Sequence, residues 1–291
     1  MLQYEVRLCQ WKEDEYMLRI VVDSGSSIKL DECEKYGVDL LPLRVQMGED
    51  FFLDGVNLSV DEFYDRLINL KEFPKTSLPS LEDAQNMVEK YTEQGDHVLI
   101  ITISSGISGT FQAMKMLFAD NDKVTVFDSQ MAVGGVRFLV EEARKYENEP
   151  IEVIVEKLNA LVPRIVTAAI PETLDYLLAG GRLSKLSWML GTMLSIKPVI
   201  GFVDSKVTVL VKKRGLKQAM KQIVELALED KCDPEYGIIA SYTYNKDNVD
   251  QVIQMSPPEI QAMVKVYDNL IPSIACHWGP NAFGYIYVKG K

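Results

Sequence analysis

Stretches of apolar, largely β-branched residues alternate along this chain with segments whose apolar positions recur every three or four residues. Leu18–Asp23, His97–Ile103 and Val124–Asp128 are runs short enough to be strands buried on both faces. Val60, Phe63, Tyr64 and Leu67 share one helical face, as do Ala84, Met87, Val88 and Tyr91. The same spacing recurs in Phe111, Met114, Leu117 and Phe118, and again in Ala132, Val136, Leu139, Val140 and Ala143. Ser59 with Glu62, and Ser80, supply helix start signals, and Gly95 supplies a stop. Val38–Met47 reads as one further strand and Pro74–Ser80 as a loop. Such alternation predicts an α/β fold with a parallel sheet flanked by helices and right-handed crossovers.

Ile151–Pro163 reads as a helix leading out of this first unit, which divides the chain into two α/β domains, 1–162 and 163–291. Residues 1–17, charged and weakly periodic, read as an irregular lead-in. The second unit opens with a strand at Ile165–Ile170 and a short helix at Leu174–Gly181 that two glycines stop. Lys197–Val203 and Lys206–Lys213 form a hairpin across Asp204-Ser205. Helices at Lys217–Leu228 and Lys246–Met255 alternate with strands at Tyr236–Tyr244, Gln261–Tyr267 and Gly284–Val288. Between Leu183 and Ile196 the residues Leu186, Trp188, Met189, Leu190, Met193 and Leu194 cover nearly every side of a helix. A helix apolar all round is core or the lining of an apolar cavity, and both readings stay open at this point.

Charge narrows the partners. With 31 basic and 42 acidic side chains the net charge is −11, which argues against nucleic acid. The four cysteines (Cys9, Cys33, Cys232, Cys276) are widely spaced, as expected of reduced thiols and not of a zinc site. No signal-peptide pattern is visible, and the longest uncharged run, Asn269–Val288, is broken by prolines and glycines. The sequence therefore reads as a cytoplasmic protein without stable membrane insertion.

Three strand ends carry the candidate chemistry. Asp23-Ser-Gly-Ser-Ser27, Ser104-Ser-Gly-Ile-Ser-Gly-Thr110 and Asp128-Ser129 all fall where an α/β sheet presents its carboxyl edge. A hydroxyl-rich turn opening a helix offers many donors and no fixed charge, which suits a small anion. The plainer alternative is that Ser105 or Ser108 caps the helix. His277, on Cys-His-Trp-Gly-Pro-Asn281, is one of only two histidines and is either a ligand or a satisfied structural residue. Gly180-Gly-Arg182 sets a cation on a glycine turn, where solvent exposure is the default. Phosphate-loop, dinucleotide-binding, zinc-protease and nucleophile-elbow patterns are missing.

Taken together, Asp23-Ser24, Pro74-Lys-Thr-Ser-Leu-Pro-Ser80, Ser104–Thr110, Asp128-Ser129, Gly180-Gly-Arg182, Ser195-Ile-Lys-Pro198 and His277-Trp-Gly-Pro280 resemble the DegV family. Members of that family are bacterial fatty-acid-binding proteins that act as acyl carriers for fatty acid kinase, and so serve phospholipid synthesis. The resemblance implies two α/β domains with a ligand tunnel between them and no catalytic residue, metal or cofactor. It implies that a long-chain fatty acid is held through its carboxylate by Thr76 or Ser77, by Ser104 or Ser105, and by His277. It further implies a tunnel in the second domain, lined here by Leu186, Met189, Leu190 and Met193, and an exposed Arg182 that meets the kinase catalytic subunit. Leu78, Trp278 and Asn281 stand where the family usually has Gln, Thr and Gly. A reading from another class is a serine hydrolase or acyl transferase, with Ser105 or Ser108 as nucleophile, His277 as base and Asp23 or Asp128 as orienter.

Overall fold

The computed structural model describes residues 17–183 and 195–291. The lead-in expected at the start of the chain therefore falls, but for Met17, outside the described residues. A four-stranded sheet has the order β2 (Val38–Leu41), β1 (Leu18–Asp23), β6 (His97–Thr102), β7 (Val124–Asp128), with every pair parallel. Its strands alternate as their sequences require: Ile20, Val22, Leu99 and Ile101 face one side, and Val21, Val98 and Ile100 the other. Helices α3 (Leu81–Thr92) and α4 (Thr110–Leu117) cover the second face. Helices α5 (Gly134–Lys145) and α6 (Ile151–Leu161) cover the first.

On their far side, α5 and α6 meet a six-stranded mixed sheet ordered β10 (Lys206–Arg214), β9 (Ile196–Val203), β8 (Ile165–Ile170), β13 (Phe283–Val288), β11 (Ile238–Tyr242), β12 (Val264–Asn269). One core cluster thus runs from Ile20 and Leu99 through Val136 and Leu139 to Ile239 and Ile286. Gly134 lets α5 approach this sheet, since a Cβ there would lie 2.7 Å from Ile239. The opposite face of the six-stranded sheet buries Tyr285 and Tyr287 against α8 (Leu216–Glu229) and α9 (Asp247–Met255). Asp204 and Ser205 both have positive φ at the β9–β10 turn, as a two-residue hairpin needs.

Two sequence expectations are corrected here. Val38–Met47 is not one strand: Pro42 lacks an N–H and interrupts it, so β2 stays in the parallel sheet while β3 (Arg44–Met47) leaves it. Nor is Pro74–Ser80 all loop, because β5 (Lys75–Ser77) pairs with β3, and β4 (Asp50–Leu53) completes a small antiparallel sheet. Helix α2 (Val60–Asn69), capped by Ser59 Oγ on Glu62 N–H, packs on this small sheet beside α11 (Pro272–Trp278). Helix α7 (Asp175–Ala179) ends at Gly180, with Gly181 in the left-handed region, as its glycines lead one to expect. Among the described residues no helix is long and apolar enough to cross a membrane.

Candidate ligand-binding site

The parallel sheet reverses its direction of growth between β1 and β6, the point at which open α/β sheets bind ligands. Asp23 closes β1 there and is fully buried. Its carboxylate accepts from Gly25 N–H and Ile103 N–H, both at 2.9 Å, so it ties the two loops together. Burial pushes this carboxyl up to about 7, against the pull of those two hydrogen bonds. Ser24 extends the link: its hydroxyl donates to Asp54 Oδ2 at 2.7 Å and accepts from Leu43 N–H at 3.0 Å.

The hydroxyl-rich loop after β6 divides its side chains. Ser104 is buried and donates to the Ser205 carbonyl at 2.6 Å, so it latches the loop onto the β9–β10 turn. That approach is tight enough to require Gly106, whose Cβ would stand 2.0 Å from the same oxygen. Ser105 is exposed and hydrogen-bonds the Asp128 carboxylate through both its hydroxyl and its amide. Neither serine lines the cavity described next; Ser108 does, sharing a 2.9 Å hydrogen bond with Thr110. On the opposite side Val133 takes φ 57°, strained for a β-branched residue, and its N–H holds Gly25 O at 2.8 Å.

Between the sheets lies a cavity of about 220 Å³. Its polar end is formed by Thr76, Ser77, Ser108, Arg182, Ser273 and His277. Its wall is formed by Leu43, Ile103, Ile107, Leu177, Phe202, Val207, Ile274 and Trp278, with Leu78 and Ala132. Leu186, Met189, Leu190 and Met193, expected as tunnel lining, lie outside the described residues.

Thr76 and His277 meet at this polar end, Oγ1 to Nε2 at 2.8 Å. Thr76 is placed by β5 pairing with Val45 on β3, and His277 by the last turn of α11. Burial, then the Arg182 charge, lower the imidazole pKa to about 4, so the ring is neutral at pH 7. Its Nδ1 is buried without a hydrogen-bond partner and packs on Gly180, where a Cβ would stand 2.3 Å away. A proton on Nδ1 would be an unsatisfied buried donor, so the hydrogen-bond network assigns the proton to Nε2. Nε2–H then donates to Thr76 Oγ1, and the threonine hydroxyl keeps its own proton for an acceptor in the cavity.

Arg182 is not the solvent-exposed side chain that its glycine turn suggests. It is half-buried, donating from Nε to Ile107 O at 3.0 Å and from Nη1 to Gly180 O. Two carbonyls thus aim a permanent positive charge at the cavity. Of the residues singled out in the sequence, the structure brings Thr76, Ser77, Arg182 and His277 together and turns Ser104 and Ser105 elsewhere. Phe202, Val207 and Ser273 carried no motif; Ser273 has a signal only in hindsight, standing one helical turn before His277. A hydrolytic triad is not assembled among the described residues. Ser105 is paired with Asp128, Ser108 with Thr110 and His277 with Thr76, while both Asp23 oxygens hold amides.

Fold and site together describe an α/β protein with an apolar-walled cavity whose polar lining comes from distant parts of the chain. A family model described as uncharacterised protein, DegV family, matches residues 17–290. A DegV domain-containing protein of Clostridium acetobutylicum is 30% identical over 283 residues, covering 94% of this chain and 99% of the relative. The chain belongs to the DegV family. Among solved structures, a fatty acid binding DegV family protein from Streptococcus agalactiae matches with TM-score 0.85 and 28% identity, over 95% of this chain and 100% of the other. A stearic acid-binding protein from Eubacterium ventriosum matches with TM-score 0.81 and 26% identity, over 94% and 98%.

Proposed function

We propose that this protein binds a long-chain fatty acid in the cavity between its sheets and presents the acid group to a fatty acid kinase for acyl-phosphate formation, in the cytoplasm. The observation that carries the reading is the Thr76–His277 pair, a neutral donor relay at the polar end of an apolar cavity. The fatty acids named for the related structures support the ligand class.

Each methylene taken from water contributes about 0.8 kcal/mol, so a chain of a dozen or more contributes roughly 10 kcal/mol before the cost of association. An unpaired buried carboxylate would cancel much of that. Here Thr76, Ser77 and Ser108 donate to it, and the charge of Arg182 offsets the loss of hydration. Hydroxyls grip the head group without a closed ion pair, which leaves an oxygen for the incoming phosphoryl group. The part of Arg182 that stays exposed is left for the kinase encounter.

The test pairs binding with transfer. Palmitic acid titrated into delipidated protein is expected to bind at one site per chain. A fatty acid kinase catalytic subunit with ATP is expected to form acyl phosphate only when this protein is present. Absence of acid binding would overturn the reading, and binding without support of the kinase would remove its second half.

A further inference from the structure

Between Lys197 and Lys221 stand seven Lys and Arg side chains and a single acid, Asp204, in a chain whose net charge is −11. Four of these cations gather at the start of α8. Lys213 lies opposite Lys197 in the β9–β10 register, on the side of the sheet that Val199 and Val211 turn toward α8. Lys217 and Lys221 follow, one turn apart on the exposed side of that helix.

This arrangement breaks three local rules. Like charges directly across a strand pair repel. A cation in the first turn of a helix opposes the macrodipole, and the first turn of α8 carries no acid and no side-chain cap. Like charges four residues apart on a helix also repel. Among the described residues none of the four cations joins an ion pair, whereas Arg19, Arg66, Arg137, Arg144, Lys145 and Arg164 all do. Lys197 donates to the Glu172 carbonyl at 2.8 Å, and the Glu172 carboxylate is taken by Asn281. The cations thus cost stability where they stand, which is the mark of a functional surface.

Their chemistry selects the occupant. A second copy of this chain would set lysines against lysines. A membrane-seated surface needs apolar side chains that insert beside its cations. Among the described residues the exposed large apolar side chains nearest in sequence, Val203 and Leu228, sit at the hairpin tip and the far end of α8. Cations spread over a strand pair and a helical turn are too broad for one phosphate and match a protein face rich in carboxylates.

Accepting the fatty-acid-carrier reading, we propose that Lys197, Lys213, Lys217 and Lys221 form the surface that docks an acid-rich face of the kinase catalytic subunit. Charges placed so govern how often carrier and kinase meet, not how tightly the acid is held.

The test compares wild type, a Lys213→Glu, Lys217→Glu double variant and its Lys213→Arg, Lys217→Arg counterpart. Both glutamates relieve repulsion, since one faces Lys197 and the other precedes Lys221 by four residues. The double variant is therefore expected to unfold in urea at a midpoint no lower than wild type, with palmitic acid affinity within about twofold. With a fatty acid kinase catalytic subunit and ATP at low salt, its KM as palmitic-acid-loaded carrier is expected to rise tenfold or more, with kcat unchanged. The arginine counterpart is expected to keep the wild-type KM, and added salt to raise the wild-type KM more than that of the glutamate variant. An unchanged KM in the glutamate variant would overturn the inference. So would loss of binding to phosphatidylglycerol vesicles with KM unchanged, which would assign the surface to a membrane. Failure of wild type to support the kinase at all would instead overturn the proposed function.

Discussion

The hydroxyl of Ser104 donates to the backbone carbonyl of Ser205, 2.6 Å away and 101 residues along the chain. This bond fastens the loop leaving the parallel sheet to the turn of a hairpin in the mixed sheet, and it turns a residue expected to face the ligand into a structural latch. Ser104→Ala is expected to lower stability by about 1 kcal/mol in denaturant unfolding, because a part-buried carbonyl loses its donor. Affinity for palmitic acid is expected to stay within about twofold of wild type. A large affinity loss with unchanged stability would show that Ser104 serves the ligand after all.

Gly180 leaves room for the imidazole that Thr76 pairs with. Gly180→Ala would set a Cβ 2.3 Å from His277 Nδ1 and push the ring off Thr76. Loss of acid binding by tenfold or more is expected in the titration, the scale of a misplaced polar contact in a buried site. Normal binding by this variant would mean that the ring position is not critical.

The fold was legible wherever local pattern decides. Buried runs gave β1, β6 and β7, side-chain caps gave the starts of α2 and α3, and Asp204-Ser205 gave the hairpin turn. What escaped depends on partners remote in sequence. β5 is three residues long and exists because β3 pairs with it, about thirty residues earlier. The split of Val38–Met47 had a local signal in Pro42, but the sheet that β3 joins had none. Within the site, Thr76, Arg182 and His277 were visible as motifs. Which of several adjacent hydroxyls faces the cavity was not, since Ser205 and Asp128 decide where Ser104 and Ser105 turn. The single core joining both sheets through α5 was also hidden, because a helix buried on two faces looks in sequence like any strongly apolar helix.

His277 gives the stability a pH signature. Its folded-state pKa of about 4 lies below the ordinary 6.5, so between those values the unfolded chain binds more protons than the folded one. The histidine contribution is whole above pH 6.5 and is lost as pH falls toward 4. The stability advantage of wild type over His277→Gln is therefore expected to grow with pH across this window, by on the order of 2–3 kcal/mol. Asp23 and Asp54, raised by burial to about 7 and about 6, act with the opposite sign: the stability they give at low pH is lost as pH rises through those values. Asp23→Asn is expected to flatten that opposing slope. Urea unfolding at half-unit pH steps checks both signs.

Arg182 lowers the His277 pKa by its charge, second to burial. Removing that charge in Arg182→Gln is expected to raise the imidazole pKa toward its ordinary value, read from the ring proton shifts in an NMR titration. His97, half-buried and hydrogen-bonded to Thr125, does not feel the Arg182 charge, so it is expected to titrate unchanged and serves as the internal control. Palmitic acid affinity is expected to fall in the same variant, and more steeply than hexadecanol affinity. Equal losses for both ligands would mean that Arg182 acts by packing on Ile107 and Gly180 alone.

The most direct test of the account is mass spectrometry of the small molecules released on denaturing the purified protein. Wild type is expected to release a long-chain fatty acid in near-stoichiometric amount, and a Thr76→Val, His277→Ala double variant, folded by circular dichroism, is expected to release little or none. Recovery of no fatty acid from wild type, or of equal amounts from both proteins, would contradict a carboxylate held by the Thr76–His277 pair.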